Sequence, residues 1–242
     1  MSESQENLSR AAAIRWANFK IDPKRTALLV VDMQRYFLRA DSPFSQFLNA
    51  RVAGFTDWYL GRVEEKVVPN VRRLVGAFRA VGSPVLWTRV ASQRKDGSDL
   101  SLALRRLNER AAELNFPTPI PWIEDSWAAV LPDLGPESEE RFVDKTTYGS
   151  FASTDLEKTL QEMKVASVVV CGVVTNVCVE TTAREAVDRG FQALVVEDGC
   201  AAFSPEVQEG NLFSYRTVFG PVKTAAEVIA ILQSPGAVHP TK

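Results

Sequence analysis

Five short runs of aliphatic and β-branched residues recur along the chain, separated by stretches with helical spacing, and this alternation constrains the fold most. The runs are Ala27–Met33, Pro84–Val90, Arg141–Lys145, Ala166–Val174 and Ala193–Asp198. Several are continuously apolar, as expected of strands buried on both faces. A shorter sixth strand is expected at Thr217–Phe219. Between the runs, Val63–Ala80 puts Val67, Val71, Leu74, Val75 and Phe78 on one helix face, and Gly82 follows as a stop. Further helices are expected from Ser153 through Met163, from Cys178 to Arg189, from Ser204-Pro205-Glu206, and from Thr224 to Leu232. Strand alternating with helix means βαβ units, right-handed crossovers and a mainly parallel sheet.

Two segments break the rhythm. Arg35–Tyr59 is rich in Phe, Trp and Tyr. Ala91–Pro136 carries Trp122, Trp127 and the stiff run Phe116-Pro-Thr-Pro-Ile-Pro-Trp122. Insertions of this length after strand ends form lids and pocket walls, or oligomer contacts, and both readings stay open. With no repeat, linker or low-complexity stretch, a single domain is expected over 1–242, with an N-terminal extension at 1–24 and a tail at 233–242.

Composition removes several functions. The chain of 242 residues is 45% apolar and 24% charged, with a net charge of −2, so no electrostatic footprint for nucleic acid or an anionic membrane is present. No stretch has the length of a membrane span. The polar, acidic start does not read as a secretory signal, and an odd count of three cysteines without a Cys-x-x-Cys pair points to reduced thiols and a cytoplasmic location. The one histidine, His239, lies in the terminal tail, a poor place for a catalytic imidazole, and zinc sites needing two histidines are impossible. Neither Gly-x-Gly-x-x-Gly nor a Walker loop occurs. No metal or other cofactor is expected.

In a parallel α/β sheet, ligands bind outside the carboxyl ends of the strands. Asp32 closes the first run, Lys145 closes the third, and Cys178 follows the fourth across a turn, where a helix begins. A helix N-terminus favours a thiolate. Each residue also has an ordinary reading: a loop-capping aspartate, a solvated lysine, a small buried thiol. Taken together they form a histidine-free set in which cysteine attacks a carbonyl, aspartate takes its proton and lysine balances charge. Asp198, after the fifth run, is a weaker candidate, since Asp198-Gly199 also reads as a turn.

The motifs Val30-Val-Asp32-Met-Gln34, Lys145-Thr-Thr-Tyr-Gly-Ser-Phe151 and Gly172-Val-Val-Thr-Asn-Val-Cys178-Val-Glu-Thr-Thr-Ala-Arg184 resemble the cysteine hydrolases of the isochorismatase-like superfamily over roughly residues 25–232. The resemblance implies a Rossmann-like three-layer αβα fold with a six-stranded, mostly parallel sheet. It also implies an Asp32-Lys145-Cys178 triad. A cis peptide is implied at Val173–Val174, with the N–H groups of Val174 and Cys178 as an oxyanion hole. Members of the family are commonly dimers or tetramers, so a homo-oligomer is expected.

Two departures narrow the activity. The histidine-containing metal site of the nicotinamidases has no counterpart in Trp87–Lys95, and isochorismatases proper lack the nucleophilic cysteine. The chain resembles the metal-free branch that includes biuret hydrolases, ureidoacrylate amidohydrolases and N-carbamoylsarcosine amidases. The expected reaction is hydrolysis of a C–N bond in a small amide, carbamoyl compound or ureide through a cysteine thioester. The alternatives are a nicotinamidase-type amidase and a non-catalytic binding protein of the same fold. Gln34, Phe37, Tyr148, Tyr215 and Arg216 are candidate pocket residues. Arg89 is the candidate for a substrate carboxylate, against the plainer reading of a surface salt bridge.

Overall fold

A computed structural model describes residues 3–16 and 19–234; His239 and residues 235–242 of the expected tail lie outside them. The strands are β1 (Thr26–Val31), β2 (Val85–Val90), β3 (Arg141–Lys145), β4 (Ser167–Val173), β5 (Gln192–Ala201) and β6 (Val222–Lys223). They form one sheet in the order β3-β2-β1-β4-β5-β6, and every pairing is parallel. The helices are α1 (Glu3–Arg15), α2 (Arg35–Leu38), α3 (Pro43–Arg51), α4 (Asp57–Arg62), α5 (Val68–Ala80), α6 (Leu102–Glu113), α7 (Leu156–Glu162), α8 (Glu180–Asp188), α9 (Pro205–Val218) and α10 (Ala225–Gln233).

The apolar runs are continuous because both sheet faces are covered. Leu28 and Val30 of β1 join Leu74 and Phe78 of α5 and Val228 of α10 in one core cluster. Their strand neighbours Ala27, Leu29 and Val31 join Leu160 of α7, Ala183 of α8 and Leu212 of α9 in the other. This is the expected three-layer arrangement. Its strand order reverses between β1 and β4, and a crevice opens at the carboxyl ends of the strands on either side of such a switch point.

Helix starts follow local chemistry. Ser204 accepts a hydrogen bond from the Val207 N–H at the head of α9, and Thr224 and Glu227 form a capping box on α10. The expected helix at Val63–Ala80 begins with a π-helical turn, Val63–Val67, that joins α4 to α5. The helix expected from Ser153 starts later, at Leu156, because the Thr154 hydroxyl accepts from the Leu156 N–H and holds the preceding residues as a turn.

One strand assignment needs correction. Thr217–Phe219 is the end of α9 and its cap, and the sixth strand is the two-residue Val222–Lys223. Tyr215 and Arg216 therefore lie within a helix. The N-terminal extension, for which no element was expected, forms α1 and packs against α9, with Trp16 Nε1 donating to the Arg216 carbonyl at 2.7 Å.

Candidate active site

Asp32 is the first residue after β1 and adopts φ 51°, a left-handed conformation that only a few non-glycine residue types tolerate and that concentrates at functional sites. Its carboxylate is wholly buried and held at both oxygens. Oδ1 accepts from Thr88 Oγ1 at 2.7 Å, and Oδ2 faces Lys145 Nζ at 2.7 Å. The register explains this: Val31 pairs with Thr88 on β2, and Val90 of β2 pairs with Lys145 on β3. Lysine's four-carbon stem spans the intervening strand.

The Lys145 ammonium is also fully buried, and it donates to the carbonyls of Thr147 at 3.1 Å and Tyr148 at 2.8 Å besides Asp32. Burial disfavours its charge, but the charges of Asp32 and Cys178 and their hydrogen bonds outweigh burial, so its pKa is raised. Lys145 stays an ammonium. The loop that carries it is pinned to α8: Ser150 bonds Thr182, and the Phe151 N–H donates to Glu185 at 3.1 Å. Gly149 permits this approach, since a Cβ there would overlap the Glu185 carboxylate.

Cys178 comes from the other side of the switch point. The Val173–Val174 peptide bond is cis. The chain then enters a π-helical turn, Thr175–Val179, that runs into α8. Cys178 is thus in the first turn of the helix, not its opening residue. Its thiol is buried and close enough to Asp32 and Lys145 to feel both charges. Burial pushes the thiol pKa up, Lys145 opposes, and Asp32 adds to the rise. The helix-start reading favoured a thiolate; in this environment desolvation wins, and the resting group is a thiol beside an ion pair. β1 and β4 bring these parts together through Gly172, at φ 112°, where a Cβ would overlap the Val31 carbonyl oxygen.

The remaining candidates disperse. Tyr148 stays at the site: it follows Lys145, is partly exposed, and its phenol pKa is raised by burial and by the Cys178 charge. Phe37 is buried against Tyr36 and Phe44, with ring centroids 4.0 and 5.0 Å away. Gln34 is a structural clamp. Its Nε2 donates to the carbonyls of Val90 and Ala128, and its Oε1 accepts from the Val90 N–H, so both amide hydrogens are used. Arg89 forms a bidentate ion pair with Asp144 at 2.6 and 2.8 Å and lies over the Phe142 ring. Strand alternation sends it to the face opposite Thr88, which corrects the carboxylate-binding expectation. Tyr215 is also corrected: its hydroxyl donates to Ala193 at the amino end of β5, away from the strand ends that carry Asp32 and Lys145. Arg216 leaves the site with it, its guanidinium over Phe213. Asp198 accepts from the Ala225 N–H at the head of α10, a structural cap.

Three residues beside the triad belong to none of the three motifs, although Tyr36 and Tyr59 lie in the aromatic insertion Arg35–Tyr59. Thr88 orients Asp32. Tyr36 donates to the Val90 carbonyl at 3.0 Å, and Tyr59 is wholly buried; the phenol pKa values of both are raised by burial and by the nearby Asp32 and Cys178. Among the described residues, no group of three His, Cys, Asp or Glu side chains is placed to hold a metal ion.

Residues 26–227 match the isochorismatase domain family. The chain is 31% identical over 229 residues to a ureidoacrylate amidohydrolase of Methylobacterium radiotolerans, covering 89% of this chain and 82% of that protein. It is 29% identical over 209 residues to nicotinamidase 3 of Arabidopsis thaliana, covering 86% and 89%. The crystal structure of a cysteine hydrolase from Pseudomonas syringae pv. phaseolicola superposes with a TM-score of 0.73 at 31% identity, covering 91% of this chain and 97% of that one.

Proposed function

The chain belongs to the isochorismatase domain family, and from that premise we propose that Asp32, Lys145 and Cys178 hydrolyse a small amide, carbamoyl compound or ureide through a cysteine thioester. It is a hydrolase of carbon–nitrogen bonds other than peptide bonds. The observation that carries the finer reading is the buried Lys145–Asp32 pair at 2.7 Å beside the Cys178 thiol. A carboxylate so placed can take a thiol proton without histidine, and a fixed ammonium compensates the negative charge passed between sulfur and oxygen.

The steps follow. Cys178 Sγ attacks the substrate carbonyl carbon while Asp32 takes the thiol proton. The oxyanion is received by the N–H groups of Val174 and Cys178, donors of a kind worth roughly 10²–10³ in rate each. The C–N bond breaks as Asp32 returns the proton to the departing ammonia or amine, leaving an acyl or carbamoyl thioester. Asp32 then deprotonates a water that attacks this thioester, and the sulfur leaves as a thiol with that proton. Lys145 keeps its protons throughout, and because Cys178 rests as a neutral thiol the site holds no second buried anion beside Asp32.

The test is an ammonia-release screen over biuret, ureido acids, carbamoyl amino acids, simple amides and nicotinamide. The relative named a nicotinamidase places nicotinamide in that panel. Purified Cys178→Ala should lose activity on every substrate, and a quenched wild-type reaction should show the acyl mass on the peptide containing Cys178. Full activity in Cys178→Ala would overturn the mechanism.

A further inference from the structure

Tyr59 is wholly buried, yet among the described residues its hydroxyl has no hydrogen-bond partner. Folds rarely leave such a group unpaired. Its neighbour Tyr36, equally buried, obeys the rule by donating to Val90.

The Tyr59 ring packs toward the segment that pairs with the cysteine loop. Its ring packs on Phe203, with centroids 4.9 Å apart. Phe203 lies two residues after Ala201, which pairs with Val173, the residue leading into the cysteine loop. Tyr59 shares one core cluster with Val173 and Val174, and Val177 packs against it. Burial raises its pKa most, and the Cys178 and Asp32 charges add to the rise.

The chemistry on this side of the site is uncharged and aromatic. Phe55, partly exposed, extends the wall, 5.1 Å from Phe203. The neighbouring cations are committed. Lys145 serves Asp32 and two carbonyls, and Arg62 donates to the carbonyls of Glu197 and Cys200. A carboxylate placed against phenol and benzene rings would lose its hydration without gaining a cation.

We propose that Tyr59 is a substrate-positioning residue: its hydroxyl hydrogen-bonds the substituent of an amide or ureide whose carbonyl lies against Cys178, Phe203 and Phe55 cover that substituent's flat face, and the site selects neutral substrates over those bearing a carboxylate. The reaction rests on the amidohydrolase reading above; the contact itself does not.

The test compares wild type with Tyr59→Phe. Cys178 is alkylated at pH 8 with iodoacetamide, a neutral amide, and with iodoacetate, its carboxylate counterpart, and labelling is located by peptide mass and normalised to glutathione. Wild type should react with iodoacetamide about tenfold faster than with iodoacetate, and Tyr59→Phe should slow the iodoacetamide reaction about tenfold while leaving iodoacetate unchanged, as expected for one lost hydrogen bond. On a neutral substrate, kcat/KM should fall about tenfold, mainly through KM. The melting temperature of Tyr59→Phe should be unchanged or raised, since an unpaired polar atom is removed. Unaltered labelling selectivity in Tyr59→Phe overturns the proposal, as does a lowered melting temperature with unchanged kcat/KM. A wild type that releases no ammonia from any substrate but keeps the labelling preference would refute the reaction and leave the contact standing.

Discussion

Lys145 reaches Asp32 across the width of β2, its Nζ 2.7 Å from Oδ2, and neither side chain touches solvent. Such a pair contributes little to net stability, because both ions lose their hydration, but removing one partner strands a buried charge.

Lys145→Met and Asp32→Asn should therefore each cost about 3–5 kcal/mol of stability, and the double variant should recover much of that loss while remaining inactive. Urea unfolding monitored by circular dichroism reads the first effect and ammonia release the second. Unchanged urea midpoints in both single variants would refute the buried pair.

Thr88→Val keeps the shape of the side chain but removes the donor to Asp32 Oδ1. Stability should fall by roughly 1–3 kcal/mol, as for a lost hydrogen bond to a buried charged group. Turnover should fall with KM nearly unchanged, because the carboxylate loses its orientation while the pocket walls remain. A KM effect alone would argue that Thr88 touches substrate instead.

Cys171, Cys178 and Cys200 all have thiol pKa values raised by burial above the ordinary 9.0. Above about pH 9 the unfolded thiols release protons that the folded ones keep, so the unfolded state binds fewer protons and stability must fall as pH rises. Each thiol contributes a slope of about 1.4 kcal/mol per pH unit in that window, and none at neutral pH. Urea midpoints measured from pH 7 to 10.5 should be flat and then drop, and Cys171→Ala should shallow the drop. A flat profile to pH 10.5 would contradict the buried thiols.

Two glycines should respond differently to alanine. At Gly172 the added Cβ meets backbone, the Val31 carbonyl, at a φ that disfavours side chains, so Gly172→Ala should cost about 3 kcal/mol or more and shift the melting temperature down steeply. At Gly149 it meets the end of the Glu185 side chain, which can swing away. Gly149→Ala should fold, yet lose the Glu185 contact to the Phe151 N–H and lower turnover by loosening the Lys145 loop. Calorimetry and steady-state kinetics separate the two outcomes.

What the sequence could reveal follows the same physics. β1, β4 and β5 were legible because burial on both faces makes them almost continuously apolar, whereas the edge strand β3 reads only as a short mixed run. β6 was not, since its two residues are only half-buried and carry no run, and placing a strand over the end of α9 moved Tyr215 and Arg216 toward a site they do not approach. Asp32, Lys145 and Cys178 could be placed on one rim from strand ends alone. The ionisation of Cys178 could not, because helix position and desolvation push in opposite directions and only packing decides between them. Thr88 and Tyr59 depend on register and on the folding of an insertion, neither of which is written in local spacing.

The reversal of strand order between β1 and β4 has a consequence for how such a chain can change. The three residues proposed for chemistry are each fixed at or just beyond a strand end, and the Gly172 contact seams β1 to β4 along the line between base and nucleophile. Tyr59 and Phe55 come instead from the stretch between β1 and β2. Bond-breaking and substrate taste are thus inherited on separate lengths of polypeptide, so exchanging residues 35–62 between relatives should trade preferences while the reaction is passed on intact.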